Sequence, residues 1–216
     1  MSDDTPLRQE VIDTVRRMNA IGINQGKSGN ASVRSGEGFL VTPSGVAYDD
    51  LVPDDIVWMD FDGAIDVRRP NRRPSSEWRF HYDILKARPD LTAIVHTHGK
   101  AVTTLACLRK GIPAFHYMVA VAGGIDIRCA PYRTFGTQDL SDVAIEALVD
   151  RKACLLANHG MIACDRSLTA ALALAVEVET LADIYWRTLQ VGGGPILGEA
   201  EMAEVFAQFA TYGART

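Results

Sequence analysis

Ala93-Ile94-Val95-His96-Thr97-His98 begins as an aliphatic run and ends in two imidazoles. Its β-branched residues predict a strand. Side chains two apart on a strand share a face, so His96 and His98 can aim at one point. Outward from this strand, helices are expected on both sides. One starts at a Ser75 or Ser76 cap and runs to about Ala87, with Pro89 beyond its end. The other spans about Lys100 to Arg109. Further out, Leu7, Val11, Val15 and Met18 fall on one helical stripe. Strands are expected at 38–42, 55–60, around 127–129 and at 153–157. Helices are expected over about 139–149, from Ser167 to about Leu189, and over roughly 199–209. This interleaving describes a layered α/β domain, and alternation alone points to a parallel sheet. No repeat, low-complexity segment or linker interrupts it, so residues 1–216 are read as a single domain.

Composition narrows the function. The 216 residues carry 22 Lys plus Arg against 27 Asp plus Glu, a formal charge of −5. An acidic chain without a basic block argues against a nucleic-acid partner, because phosphate neutralisation needs clustered cations. The basic stretch Arg68, Arg69, Arg72, Arg73 is broken by Pro70 and Pro74 and reads as a loop. No apolar run approaches the roughly 20 residues of a membrane span, so no membrane association is expected. Met1-Ser2-Asp3-Asp4 is too polar for a secretory signal. Cys107, Cys129, Cys154 and Cys164 lack CxxC spacing and read as reduced, buried thiols of a cytoplasmic protein.

His159 follows the apolar strand at 153–157 and precedes Gly160. Three neutral imidazoles with an open position describe a catalytic zinc-type site. Glu77 sits at the start of its helix, where exposed N–H groups favour an anion. His81, one turn later, reads as structural or surface-facing, and His116 is ambiguous from spacing. Gly26-Lys27-Ser28 imitates a nucleotide-binding phosphate loop. Ile21 stands where that motif needs glycine, and the segment follows a helix instead of a strand, so nucleotide binding is excluded. A glycine-rich loop can still hold an anion through its backbone N–H groups. Among folds with HxH metal pairs, long helices argue against an all-β cupin, and an amidohydrolase barrel needs more chain.

Further stretches carry a family resemblance: Gly29-Asn30-Ala31-Ser32, Thr42-Pro43-Ser44-Gly45, Pro74-Ser75-Ser76-Glu77-Trp78-Arg79-Phe80-His81, Ile112-Pro113-Ala114-Phe115-His116-Tyr117-Met118, Thr134-Phe135-Gly136-Thr137 and Asn158-His159-Gly160. Nearly end to end, the chain resembles the class II sugar-phosphate aldolase and adducin family. The resemblance implies a three-layer α/β/α sandwich around a largely antiparallel mixed sheet, and a homotetramer with active sites at subunit interfaces. It implies that His96, His98 and His159 hold zinc, with manganese or cobalt as alternatives, and that Glu77 is the acid/base that can also approach the metal. Asn30, Ser44, Gly45, Ser75 and Ser76 match phosphate-binding positions. Tyr117 matches a tyrosine that reaches a neighbouring subunit's site, and Phe135, Phe209 and Tyr212 match positions around the aldehyde end.

The reaction so implied is reversible cleavage of a ketose 1-phosphate to dihydroxyacetone phosphate and a small aldehyde. L-fuculose 1-phosphate, giving L-lactaldehyde, comes first and 5-deoxyribulose 1-phosphate second. Short neutral donors on turns suit a phosphate dianion, and a divalent metal suits an enediolate. The chain departs from the aldolase pattern at Ser44, where Thr is frequent, at Asn158, where a second His can stand, and at Lys27. The carboxylates used near His116 by epimerases and dehydratases of the family are missing from Tyr117-Met118-Val119-Ala120-Val121-Ala122. A decarboxylase of 3-oxo-tetronate phosphates shares the metal and the enediolate. A binding module like the adducin head is the non-enzymatic alternative, and the full His and Glu set counts against it.

Overall fold

The stripe Val11, Val15 and Met18 is buried on helix α1 (Thr5–Ala20), whose Pro6 lies in the first turn, where a missing N–H leaves no bond unmade. The structure, a computed structural model, describes residues 4–211. After α1 come β1 (Asn30–Ser35), β2 (Gly38–Val41), β3 (Val57–Asp60), β4 (Ile65–Asp66), α2 (Trp78–Ala87), β5 (Ala93–Thr97) and α3 (Lys100–Cys107). The chain continues through β6 (Ile112–Pro113), a 3-10 segment (Tyr117–Ala122), β7 (Asp126–Ala130), α4 (Gln138–Ala147), β8 (Ala153–Leu156), β9 (Gly160–Asp165), α5 (Leu168–Gln190) and α6 (Glu199–Thr211).

Among the described residues the strands form one sheet in the order β4-β3-β2-β1-β5-β9-β8-β7-β6. Only β7 and β8 run parallel; the other neighbours are antiparallel. The parallel expectation drawn from alternation is therefore corrected, and the largely antiparallel mixed sheet implied by the resemblance is the one present. Periodicity leaves out β1 and β9, and these supply the hairpin partners of β2 and β8. Two-stranded ribbons then stand where single strands between helices were expected, and a hairpin is antiparallel by construction.

Strand parity sorts the core into two halves. Ala31, Val33, Ala93, Val95, Leu155 and Ala163 face Val11, Val15, Val102, Leu105, Ala171 and Val178 of α1, α3 and α5. Phe39, Val41, Ile94, Cys154 and Ile162 face Phe80, Ile84, Leu140 and Ala144 of α2 and α4. Each fully buried aliphatic or aromatic side chain contributes on the order of 1.5–3 kcal/mol, so both helical layers are held by burial. Because Ile94 packs toward α2, His96 must face α2 as well. The four cysteines are unpaired. Cys107 is exposed at the end of α3 and Cys129 is half-buried, against the expectation that all four are buried. No helix among the described residues is long and apolar enough to cross a membrane.

Candidate metal centre

Asn30 and His96 are cross-strand partners on β1 and β5, and Ser32 pairs with Ile94 on the same face. Three polar side chains thus look toward the start of α2. Glu77 immediately precedes that helix instead of lying in its first turn. The reason is the backbone before it. Ser44 N–H donates to Arg73 O at 2.9 Å, and Ser75 N–H donates to Thr42 O at 2.9 Å, so residues 73–75 run extended beside the 42–44 turn. The Ser75 hydroxyl accepts from Glu77 N–H at 3.2 Å, and helix begins only at Trp78.

His159 arrives from the other side, on the turn joining β8 to β9. Asn158 before it has φ 55°, a left-handed conformation that asparagine tolerates better than other side-chain-bearing residues. Its side chain accepts from Arg109 Nε at 3.0 Å, and its N–H donates to Ala106 O at 2.9 Å. Two glycines let backbone close around the cluster. A Cβ at Gly29 would lie 2.5 Å from His96 O, and one at Gly160 would lie 2.4 Å from Thr97 O. Past His98, Glu179 of α5 accepts from the N–H groups of Ala101 and Val102 at 2.8 and 3.0 Å, anchoring the start of α3.

Glu77, His96, His98 and His159 converge so that one ligand atom from each lies within 4.8 Å of all the others. His96 Nε2 is 3.3 Å from Glu77 Oε2, and His159 Nε2 is 3.1 Å from Oε1. The Nε2 atoms of His96 and His98 are 2.8 Å apart. His96 Nδ1 lies 2.8 Å from Met161 O, which can only accept, so Nδ1 carries the proton and the Nε2 lone pair points inward. Glu77 Oε1 is buried and accepts no hydrogen bond. An inward lone pair, crowded ring nitrogens and an orphaned carboxylate oxygen fit a divalent cation, and the cluster could hold one.

Burial, the largest influence on Glu77, would raise its pKa, but positive charge on the adjoining His96 and His159 would outweigh it and hold the carboxyl well below the usual range. Burial pushes His98 down to about 3, and the other imidazoles act in the same sense. His81, expected to be structural or surface-facing, is fully buried on α2, and burial likewise lowers it from 6.5 to about 3. The unfolded chain therefore binds a proton at this position from about pH 6.5 downward that the folded chain does not take up until about pH 3. Stability falls as pH drops through that window, by about 1.4 kcal/mol per pH unit for one histidine. Urea-unfolding midpoints of the metal-free protein are expected to fall between pH 6.5 and 4.5, with a smaller slope in His81→Phe. Equal slopes would contradict a neutral buried His81.

The other expected site residues divide into two groups. Thr42 N–H donates to Ala31 O at 3.1 Å, and with the 73–75 pairing this draws the segments bearing Asn30, Ser44, Gly45, Ser75 and Ser76 together beside Glu77. Lys27 Nζ donates to Gly45 O at 2.9 Å from the neighbouring loop. Gly136, at φ 73°, comes so close to Ser76 O that a Cβ would lie 2.7 Å from it, which sets Phe135, 64% exposed, near that rim. Tyr117, 48% exposed, stacks on His116 at 4.8 Å and meets Phe209 of α6 edge-on at 6.3 Å. These two line a groove with Met118, Val205 and Gln208, and His96, His98 and His159 are not among its lining residues. Tyr212 lies outside the described residues. Sequence reading missed Ser32 and Glu179, whose partners are distant in the chain. The four-residue spacing of Glu77 and His81 was the one local signal of the buried network that joins them through Asn30.

Three comparisons bear on this geometry. The family model described as Class II Aldolase and Adducin N-terminal domain matches residues 9–186. The 5-methylthioribulose-1-phosphate/5-deoxyribulose-1-phosphate aldolase of Rhodospirillum rubrum is 56% identical over 96% of this chain and 92% of that protein. The L-fuculose phosphate aldolase of Escherichia coli K12 is 47% identical over 97% of this chain and 96% of its own length. A solved L-fuculose 1-phosphate aldolase superposes with a TM-score of 0.91 at 38% identity, covering 97% of this chain and 98% of that one.

Proposed function

This chain belongs to the class II aldolase and adducin family, and from that membership we propose reversible aldol cleavage of a ketose 1-phosphate to dihydroxyacetone phosphate and a short aldehyde. The chain is a class II aldolase, a carbon–carbon lyase. The observation that carries the specific reaction is Glu77, a buried carboxylate within 3.3 Å of two imidazoles and beside a row of neutral donors.

His96, His98, His159 and Glu77 hold a divalent cation in this reading, zinc before manganese or cobalt, since imidazoles accept each of them. The cation supplies Lewis-acid stabilisation of the negative charge that develops on the substrate oxygens. Asn30, Ser44, Gly45, Ser75 and Ser76 bind the phosphate through short neutral donors, with Lys27 alongside. In synthesis Glu77 takes a proton from C3 of dihydroxyacetone phosphate, and in cleavage it returns one. Tyr117, which lines the groove beside Phe209, serves a neighbouring subunit of a homotetramer and protonates the aldehyde oxygen as the carbon–carbon bond forms. Phe135, Phe209 and Tyr212 shield the aldehyde end. The chain works as a single domain in the cytoplasm.

Of the candidate substrates, 5-deoxyribulose 1-phosphate and its 5-methylthio analogue now stand ahead of L-fuculose 1-phosphate, because the relative carrying the first two names has the higher identity, 56% against 47%. Cleavage of the first yields acetaldehyde by carbon balance. Metal-loaded protein given dihydroxyacetone phosphate with acetaldehyde or L-lactaldehyde is expected to form a ketose 1-phosphate visible by phosphorus NMR, faster with acetaldehyde. Failure with both aldehydes and with (methylthio)acetaldehyde would overturn the proposed reaction.

A further inference from the structure

The buried face between β1 and α2 holds a polar chain that no residue of the cluster requires for ligation. His81 Nδ1 lies 2.7 Å from the Ser32 hydroxyl, and Nε2 lies 2.5 Å from Asn30 Oδ1. Asn30 Nδ2 in turn donates to Glu77 Oε2 at 2.9 Å. All four residues are buried, and Ser32 and His81 are fully so.

The chain has one consistent direction. An ionised carboxylate only accepts, so the Asn30 amide must turn its NH2 to Glu77 and its oxygen to His81. His81 must then donate from Nε2, which leaves Nδ1 bare and makes it the acceptor of the Ser32 hydroxyl proton. A flipped Asn30 amide would set its oxygen against Glu77 Oε2, two acceptors in contact inside the protein. The result is a carboxylate with unequal oxygens. Oε2 is tied through Asn30 to the sheet and helix, while Oε1 accepts no hydrogen bond and faces His159.

We propose that Ser32 and His81 are positioning residues for Glu77, fixing the orientation of the Asn30 amide so that one carboxylate oxygen is anchored and the other is left for proton transfer. This rests on Glu77 acting as the acid/base. Buried outer partners of this kind are worth about 10- to 100-fold in activity. Packing alone predicts something different, since phenylalanine fills the volume of histidine without offering a donor.

The test uses the full-length protein and three variants. His81→Phe is expected to keep stoichiometric metal while kcat falls about 10- to 100-fold. His81→Gln, which can place an amide N–H near the Nε2 position, should recover most of kcat. Nitrogen-15 NMR of the histidine rings supplies a readout independent of turnover: His81 should show a protonated Nε2 and a bare Nδ1 with or without metal. Ser32→Ala keeps the ring and its packing, so it carries the test if His81→Phe does not fold; it should lower kcat and mix the tautomers. Wild-type kcat in His81→Phe or in Ser32→Ala, equal losses in the Phe and Gln variants, or a protonated Nδ1 would each overturn the proposal. A wild-type protein without aldolase turnover would sink the proposed reaction instead, and the ring tautomer would still decide the network.

Discussion

Glu77→Gln is expected to stop deuterium exchange at C3 of dihydroxyacetone phosphate while the variant stays folded and keeps its metal. The exchange needs no aldehyde, so it isolates the proton step from the choice of substrate. A positioned acid/base is worth about 10²- to 10⁴-fold, and a carboxamide cannot take the proton. Gln keeps the volume of Glu, and its oxygen can still accept from Asn30 Nδ2, the one direct hydrogen bond made by Oε2 to a neighbouring side-chain amide. His96, His98 and His159 remain as the nitrogen donors of the cluster. Proton NMR in D₂O follows the loss of the C3 signal, with metal content measured on the same sample. Near-wild-type exchange from the metal-loaded variant would remove Glu77 from the role of base.

His96→Ala should lose metal and turnover together. His96 is fully buried at the centre of the cluster, within 3.3 Å of Glu77 Oε2 and 2.8 Å of His98 Nε2, and its other nitrogen is held by Met161 O. No other side chain in the cluster can reach its place. Two imidazoles and a carboxylate would remain, crowded but without the nitrogen whose lone pair the backbone aims inward. Metal analysis after dialysis should show substoichiometric metal, and aldol cleavage should fall to background even with added zinc. His159→Ala should behave alike. Stoichiometric metal with substantial turnover in His96→Ala would mean that the cation sits elsewhere.

Much of this site was legible in the sequence because its residues lie on regular elements or next to them. The alternation of β5 sets Ile94 and His96 on one face, which Ile94 shows to be apolar and buried, and His98 follows directly after the strand. The quoted motifs around Ser75, Glu77 and His159 marked the segments that the structure brings into contact. Departures from the sequence reading have local causes. Pairing of residues 73–75 with the 42–44 turn holds Ser75 extended, which moves the helix start to Trp78. Cys107 sits on the outer face of α3 although its neighbours in sequence are apolar.

Periodicity and spacing by themselves determined the helices, most of the strands, the face of β5 that carries His96 and the residue types of a cation site. Tertiary structure alone decided the neighbours. It inserted β1 between β2 and β5, set every strand pair but β7–β8 antiparallel, brought the β8–β9 turn to Glu77, and joined Ser32 to His81 across 49 positions of chain. Local patterns report which face of an element is buried. They carry no information about which distant element covers it, and the direction of a buried hydrogen-bond chain exists only once all of its donors and acceptors have met.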